Sequence, residues 1–233
     1  MSSDSSKHKM KKRVIGRYKS AENRYFVFCE GERTEPQYFE GLKKEIEKNP
    51  LYRGRIFIEI EGVGAETVKV LEVAERKVSE LKLNNTQVWC IYDKDSFPDE
   101  RFNKVTEIAK NLSNNNQNVK YNVGWSNQCI EYWFILHFSF YDVNNDRKYY
   151  MQFLDNKFKE LGIGKYRKNN TETFEVLQSM GNPKQAISWA KQRLNKCSGL
   201  TDSQSAPATK VHELVEELAR FLPEDLRNKY ITD

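Results

Sequence analysis

"FVFCEGERTEPQYFEGL", residues 26–42, carries the reading of the fold. With Tyr25, the run Phe26–Cys29 is apolar, aromatic and β-branched. It is too short for a helix and reads as a buried strand. Glu30 and Gly31 follow at once. Pro36 fits the first turn of a helix, and Tyr38, Phe39, Leu42 and Ile46 fall on one side of it. The stretch is therefore a strand, a tight acidic turn and a helix. A carboxylate directly after a buried strand is the feature to explain.

The same form recurs at "QVWCIYDKDSF", residues 87–97. Here a buried strand runs into Asp93 and Asp95, and Pro98 opens a helix. Between the two lie "RIFIEI" (55–60), a third strand, and a helical stripe from Ala65 to Leu83 through Val68, Leu71, Val78 and Leu81. "KYNVGWS" (120–126) is a fourth strand. Strand and helix alternate, which predicts a parallel sheet with helices on both faces. "CIEYWFILHF" (129–138) is a strongly apolar helix or buried segment. Beyond it the pattern is helical, over 147–161, about 171–180, 183–197 and 208–222, with Pro183 and Pro207 as start signals. The expected organisation is a basic arm without fixed structure over 1–23, an α/β domain over 24–140 and a helical region over 141–233.

Carboxyl ends of parallel strands lie on one edge of a sheet, where α/β proteins bind ligands. Glu30, Asp93 and Asp95 are thus expected to converge. Three such charges repel unless a proton or cation joins them. Mg²⁺, a hard cation that takes oxygen ligands, is the natural partner, and Mn²⁺ suits the same donors. Gly31 lets the chain turn sharply beside the site. The plainer alternative is a pair of solvated loop acids.

The composition fits a soluble globular chain: of 233 residues, 38% are hydrophobic and 30% charged. No apolar run is long enough to span a bilayer, and the polar, basic start has no apolar leader core, so the cytoplasm is expected. Cys29, Cys90, Cys129 and Cys197 form no CxxC pair and read as reduced, buried thiols. The net charge of +5 sits in the arm: residues 1–20 hold seven Lys or Arg against Asp4, a local +6. Lys11, Lys12 and Arg13 are candidates for nucleic-acid phosphate, the alternative being a solvated tail. No P-loop, GxSxG elbow or HExxH is present, which leaves an ATPase, serine hydrolase or zincin without support.

"FVFCEGERTEPQYFEGL", "VWCIYDKDSF" and "GWSNQCIEYWFILHF" together resemble the RloB-like family, and "PATKVHELVEEL" resembles its C-terminal stretch. The strand ending in Glu-Gly and the later one ending in Asp-x-Asp also resemble Toprim domains of topoisomerases, primases and OLD-type nucleases. Gln128 and Ile130 stand where the family often has proline and phenylalanine. The resemblance implies a Toprim-like, Mg²⁺-dependent endonuclease used against phage in abortive infection, beside an ATPase partner, with DNA or RNA (tRNA included) as substrate. It implies Glu30, Asp93 and Asp95 as metal ligands and Glu131 as a further acid of the site.

Glu131 equally suits a helix first turn without chemistry. Arg33 and Lys94 stand beside the acids, to neutralise them or meet a phosphate, the alternative being solvated surface positions; strand alternation would point Lys94 away from a shared metal. Lys165, in the basic stretch "GKYRK" (164–168), fits the family's pattern more loosely. His137 reads as a buried, hydrogen-bonded histidine rather than a base, and His212 as surface or structural. Trp125, Trp133 and Trp189 read as core, and Ser126 and Asn127 as caps of the next helix. The competing functions are a non-enzymatic adaptor of an ATPase complex and a basic-armed nucleic-acid binder. An adaptor has no need to gather carboxylates at one sheet edge.

Overall fold

The computed structural model describes residues 16–232. At its centre is a five-stranded sheet in the order β2-β1-β3-β4-β5. β1 (Asn23–Cys29), β2 (Ile56–Gly62), β3 (Thr86–Asp93) and β4 (Val119–Asn127) run parallel, as their alternation with helices predicts. β5 (Ala208–Thr209) is antiparallel to β4. It corrects the expected helix over 208–222. Two residues there pair with Ser126 and Asn127, and the helix spans only Val211–Ala219. A two-residue strand has no periodicity to read.

The crossovers are α1 (Thr34–Glu47), α2 (Thr67–Leu81) and α3 (Asp99–Asn115). After β4 come α4 (Glu131–Ile135), α5 (Arg147–Glu160), α6 (Thr173–Met180), α7 (Pro183–Lys196), α8 (Val211–Ala219) and α9 (Glu224–Arg227). α7 begins as its sequence dictates: Pro183 takes the first turn, and the Asn182 side chain accepts the Gln185 N–H at 3.0 Å.

Alternate residues of each strand enter opposite cores. Tyr25, Val27 and Cys29 of β1 and Trp89 and Ile91 of β3 face a core with Phe39, Leu154, Leu177 and Leu218. The helical region expected from residue 141 therefore shares its core with the sheet. Phe26, Phe28, Val88, Cys90 and Tyr92 face the other core, closed by α2 and α3. Burial on both sides is why these strands read as unbroken apolar runs. All four cysteines are free and buried, as their surroundings predict.

The expected unstructured arm ends earlier than residue 23. Residues 16–20 are helical, and Tyr18 and Ala21 are buried. The Tyr18 ring packs edge-on against Phe26 and Phe57, and its hydroxyl donates to Asn84 O at 2.6 Å. One aromatic among basic residues gives no pattern, yet it fills a gap beside two phenylalanines. Lys11, Lys12 and Arg13 lie outside the described residues. Among the described residues no helix is long and apolar enough to cross a membrane.

β1 lies between β2 and β3, so the chain leaves it in opposite directions along the sheet. The ends are in register: Cys29 faces Gly62 on one side and Ile91 on the other, and Asp93 faces Ser126. This topology opens a crevice at the carboxyl ends of β1 and β3.

Candidate active site

Glu30 continues β1 by one residue, its N–H donating to Ile91 O at 2.8 Å. Its carboxylate thereby reaches β3: Oε2 accepts the Asp93 N–H at 3.0 Å and lies 3.4 Å from Thr67 Oγ1, at the start of α2. Asp93 ends β3. Asp95 stands two residues on with φ +38°. The loop that holds it is zipped to the turn after β4 by Lys94 N–H to Ser126 O and Asp95 N–H to Gln128 O, each 2.9 Å. Arg147 Nη1 donates to Asp95 Oδ2 at 2.8 Å.

Glu131 opens α4 and is fully buried. Its Oε1 accepts from the Tyr166 hydroxyl at 3.2 Å and lies 3.6 Å from Lys168 Nζ. A fifth acid joins them. Glu35, in the first turn of α1, is 5% exposed and packs over Gly31. A Cβ at Gly31 would overlap the Glu35 carboxylate. Gly31 leaves room for that carboxylate, the end of a flexible side chain. The cleft measures about 380 Å³ and is lined by Glu30, Arg33, Glu35, Asp93, Asp95 and Lys168, among others.

These acids perturb one another. Burial, and then the charges of Glu35, Glu131, Asp95 and Glu30, push Asp93 well above the usual carboxylate range. Burial raises Glu30 to about 7, against the opposing pull of the Asp93 N–H. Burial raises Glu35 as well, with Glu131 adding to it. Burial disfavours the Lys168 ammonium, but Glu131 and its neighbours outweigh this and raise its pKa. Burial and then Glu131 raise the Tyr166 hydroxyl, so it stays a donor.

Asp93 Oδ1, Asp95 Oδ1 and Glu131 Oε2 are buried with no hydrogen-bond partner in the protein. An unpaired buried carboxylate oxygen is costly and calls for a proton or a cation. No three His, Cys or acidic side chains among the described residues converge as a ready ligand set for one ion. Mg²⁺ commonly takes only one or two direct carboxylates and keeps its waters, so the donor chemistry here fits it.

Several expected residues take other roles. Lys94 bonds Phe97 O and pairs with Asp99 at 3.0 Å, not with the acids beside it in sequence. Lys165 is exposed, and its charge acts on Asp155, not on the acid cluster. Arg33 does line the cleft. His137 is buried, with Nδ1 3.0 Å from Trp133 O, and burial lowers it to about 4. The structural reading of this histidine holds. His212 is also buried, against Thr209 O, so the surface alternative fails and the structural one stands. Trp125 and Trp133 are core, and Trp189 is partly buried against it.

Ser126 and Asn127 cap no helix. Ser126 Oγ pairs with Thr209 Oγ1 at 3.0 Å, and Asn127 Nδ2 donates to Ser203 O at 2.8 Å. Both belong to β4 and tie it to the segment around β5.

The residues that sequence reasoning missed are Glu35, Thr67, Arg147, Tyr166 and Lys168. Glu35 carried a signal, as an acid in the first turn of the helix that follows Glu30. "GKYRK" (164–168) pointed to the right loop, but the lysine at the acids is Lys168.

No curated protein and no solved structure is significantly similar to the chain. The family whose description is "RloB-like protein" matches residues 25–218, from the first core strand through α8. That match spans the sheet, the acid cluster and most of the helical region, and the chain belongs to the RloB-like protein family.

Proposed function

We propose that this protein is a divalent-metal-dependent nuclease, Toprim-like in its acid site, that serves bacterial defence against phage under the control of a partner ATPase. The observation that supports the chemistry most is the set of unpaired carboxylate oxygens on Asp93, Asp95 and Glu131 at one sheet edge. The defence role and the ATPase rest on the family resemblance.

Glu30, Asp93 and Asp95 are the residues that would hold Mg²⁺ or Mn²⁺. When bound, such an ion polarises a phosphoryl oxygen and makes water a better nucleophile. Glu30 takes the proton of the attacking water in this reading, because it stands at the cleft wall with its carboxylate oriented by Asp93 N–H and Thr67. Lys168 and Arg33 at the cleft offset the negative charge that a phosphodiester brings. Tyr166 keeps the buried Glu131 oriented behind the cleft residue Lys168, with which it pairs.

The test is incubation of the purified protein, with and without its ATPase neighbour, with labelled DNA and total RNA in Mg²⁺, Mn²⁺ or EDTA. Metal-dependent cleavage that disappears in Asp93→Asn supports the reading. An Asp93→Asn protein that cuts as fast as the parent overturns it in favour of ordinary loop acids.

A further inference from the structure

The cation bonded to Asp95 does not come from the sheet. Arg147 is the first residue of α5, behind the Asp146 N-cap, whose side chain accepts the Lys148 N–H. Its side chain donates from Nη1 to Asp95 Oδ2, at 2.8 Å. A cation at a helix N-terminus faces the positive end of the helix dipole. The first turn of α5 itself has no acidic residue, and the Asp146 N-cap is the local carboxylate that offsets the dipole. Asp95, 52 positions away, is the acid that favours the Arg147 charge most, with the neighbouring Asp146 N-cap adding to it.

Asp95 has two unlike oxygens. Oδ2 meets Arg147, while Oδ1 is buried without a partner. Its backbone, at φ +38°, lies in a region non-glycine residues seldom occupy.

The two cations attached to the acids differ in what their departure would leave behind. Lys168 pairs with Glu131, whose side chain is 0% exposed. Its departure would strand a buried charge. Arg147 and Asp95 are 51% and 36% exposed. A pair in that setting is weak and exchangeable.

We propose that Arg147 is a metal-dependent phosphate-binding residue: it neutralises Asp95 while the cluster holds no divalent cation, and it turns to the substrate phosphodiester once a cation takes that carboxylate. The inference rests on the nuclease reading above and adds a residue and an order of events to it. A dication at Asp95 competes for the carboxylate and repels the guanidinium. A guanidinium fork fits phosphate as well as carboxylate, and Arg147 uses only one of its five donors here.

The experiment compares the full-length parent with Arg147→Ala, Lys148→Ala and Asp93→Asn. Mn²⁺ is titrated by calorimetry. Fluorescent single-stranded DNA and RNA oligonucleotides of one sequence are titrated by anisotropy, in EDTA and in Ca²⁺. Lys148 is the control, a neighbouring cation whose ammonium lies over the Tyr149 ring instead of on Asp95.

Arg147→Ala is expected to bind Mn²⁺ about two- to fivefold more tightly, the scale of an exposed ion pair. It should lose about tenfold in oligonucleotide affinity in Ca²⁺, the scale of a charged hydrogen bond, and nothing in EDTA. Lys148→Ala should follow the parent. An equal loss in EDTA and Ca²⁺ overturns the inference, because Arg147 is then a permanent contact. No loss in either also overturns it, leaving a surface ion pair. A parent that binds no Mn²⁺ sinks the nuclease reading and this one together. Mn²⁺ binding abolished by Asp93→Asn, with Arg147→Ala silent, sinks the Arg147 inference alone.

Discussion

Asp93 donates its backbone N–H to Glu30 Oε2 at 3.0 Å, across 63 positions of sequence. The bond orients Glu30 without involving the Asp93 side chain, whose Oδ1 is left unpaired. Asp93→Asn therefore leaves this bond in place and removes only charge. The expected outcome is a folded protein with a thermal midpoint equal to or a few degrees above the parent's in EDTA. Calorimetric Mn²⁺ binding should be lost, and cleavage should fall by orders of magnitude. A midpoint well below the parent's would show that the carboxylate stabilises the fold.

Stability without metal should depend on pH with a definite sign. The folded-state pKa values of Glu30 and Asp93 lie above those of the unfolded chain, so the folded state binds the extra protons. Stability is then greatest below the ordinary carboxylate range and declines as pH rises, through about 7 for Glu30. Thermal melts in EDTA should show a falling midpoint between about pH 5 and pH 8. Mn²⁺, or Asp93→Asn, should flatten the fall. A midpoint that climbs over that interval would contradict the burial of these acids.

Tyr166 is a hydrogen-bond donor to a fully buried carboxylate. Tyr166→Phe removes the donor and keeps the ring, which packs edge-on against Phe158. The expected cost is about 1–2 kcal/mol in urea denaturation, since a buried carboxylate loses a donor while Lys168 stays beside it. A cost near zero would mean that other partners satisfy Glu131 without the Tyr166 hydroxyl.

Gly31→Ala places a methyl group where the Glu35 carboxylate lies. The obstacle is the end of a flexible side chain, so the fold is expected to persist within about 1 kcal/mol. Glu35 must move, and Mn²⁺ affinity should weaken several-fold with it. Unchanged calorimetric affinity would place Glu35 outside the metal environment.

Truncation should separate the basic arm from the core. Deleting residues 1–15 removes Lys7, Lys9, Lys11, Lys12 and Arg13 and should lower the salt dependence of nucleic-acid binding. Tyr18→Ala instead empties a packed site beside Phe26 and Phe57, at a cost of about 3 kcal/mol. Equal denaturation midpoints for Tyr18→Ala and the parent would show that residues 16–21 add nothing to the fold.

The sequence by itself determined the alternation of strand and helix and the placement of Glu30, Asp93 and Asp95 at one edge. Both follow from local chemistry. Strands buried on two faces are apolar throughout, and in a parallel sheet the residue after each strand has one possible edge. Tertiary structure alone decided what surrounds those acids. Periodicity tells which side of a helix is buried but not against what. Glu35, Tyr166, Lys168 and Arg147 reach the site because α1, the loop after α5 and the start of α5 pack around the sheet edge. The same limit explains Lys94, adjacent to the acids in sequence yet bonded to Phe97 and Asp99, partners that only the folded turn into α3 supplies. It explains β5 and Tyr18 as well. Two paired residues and a lone aromatic carry no repeat, so their places follow only from the partners that the folded chain brings to them.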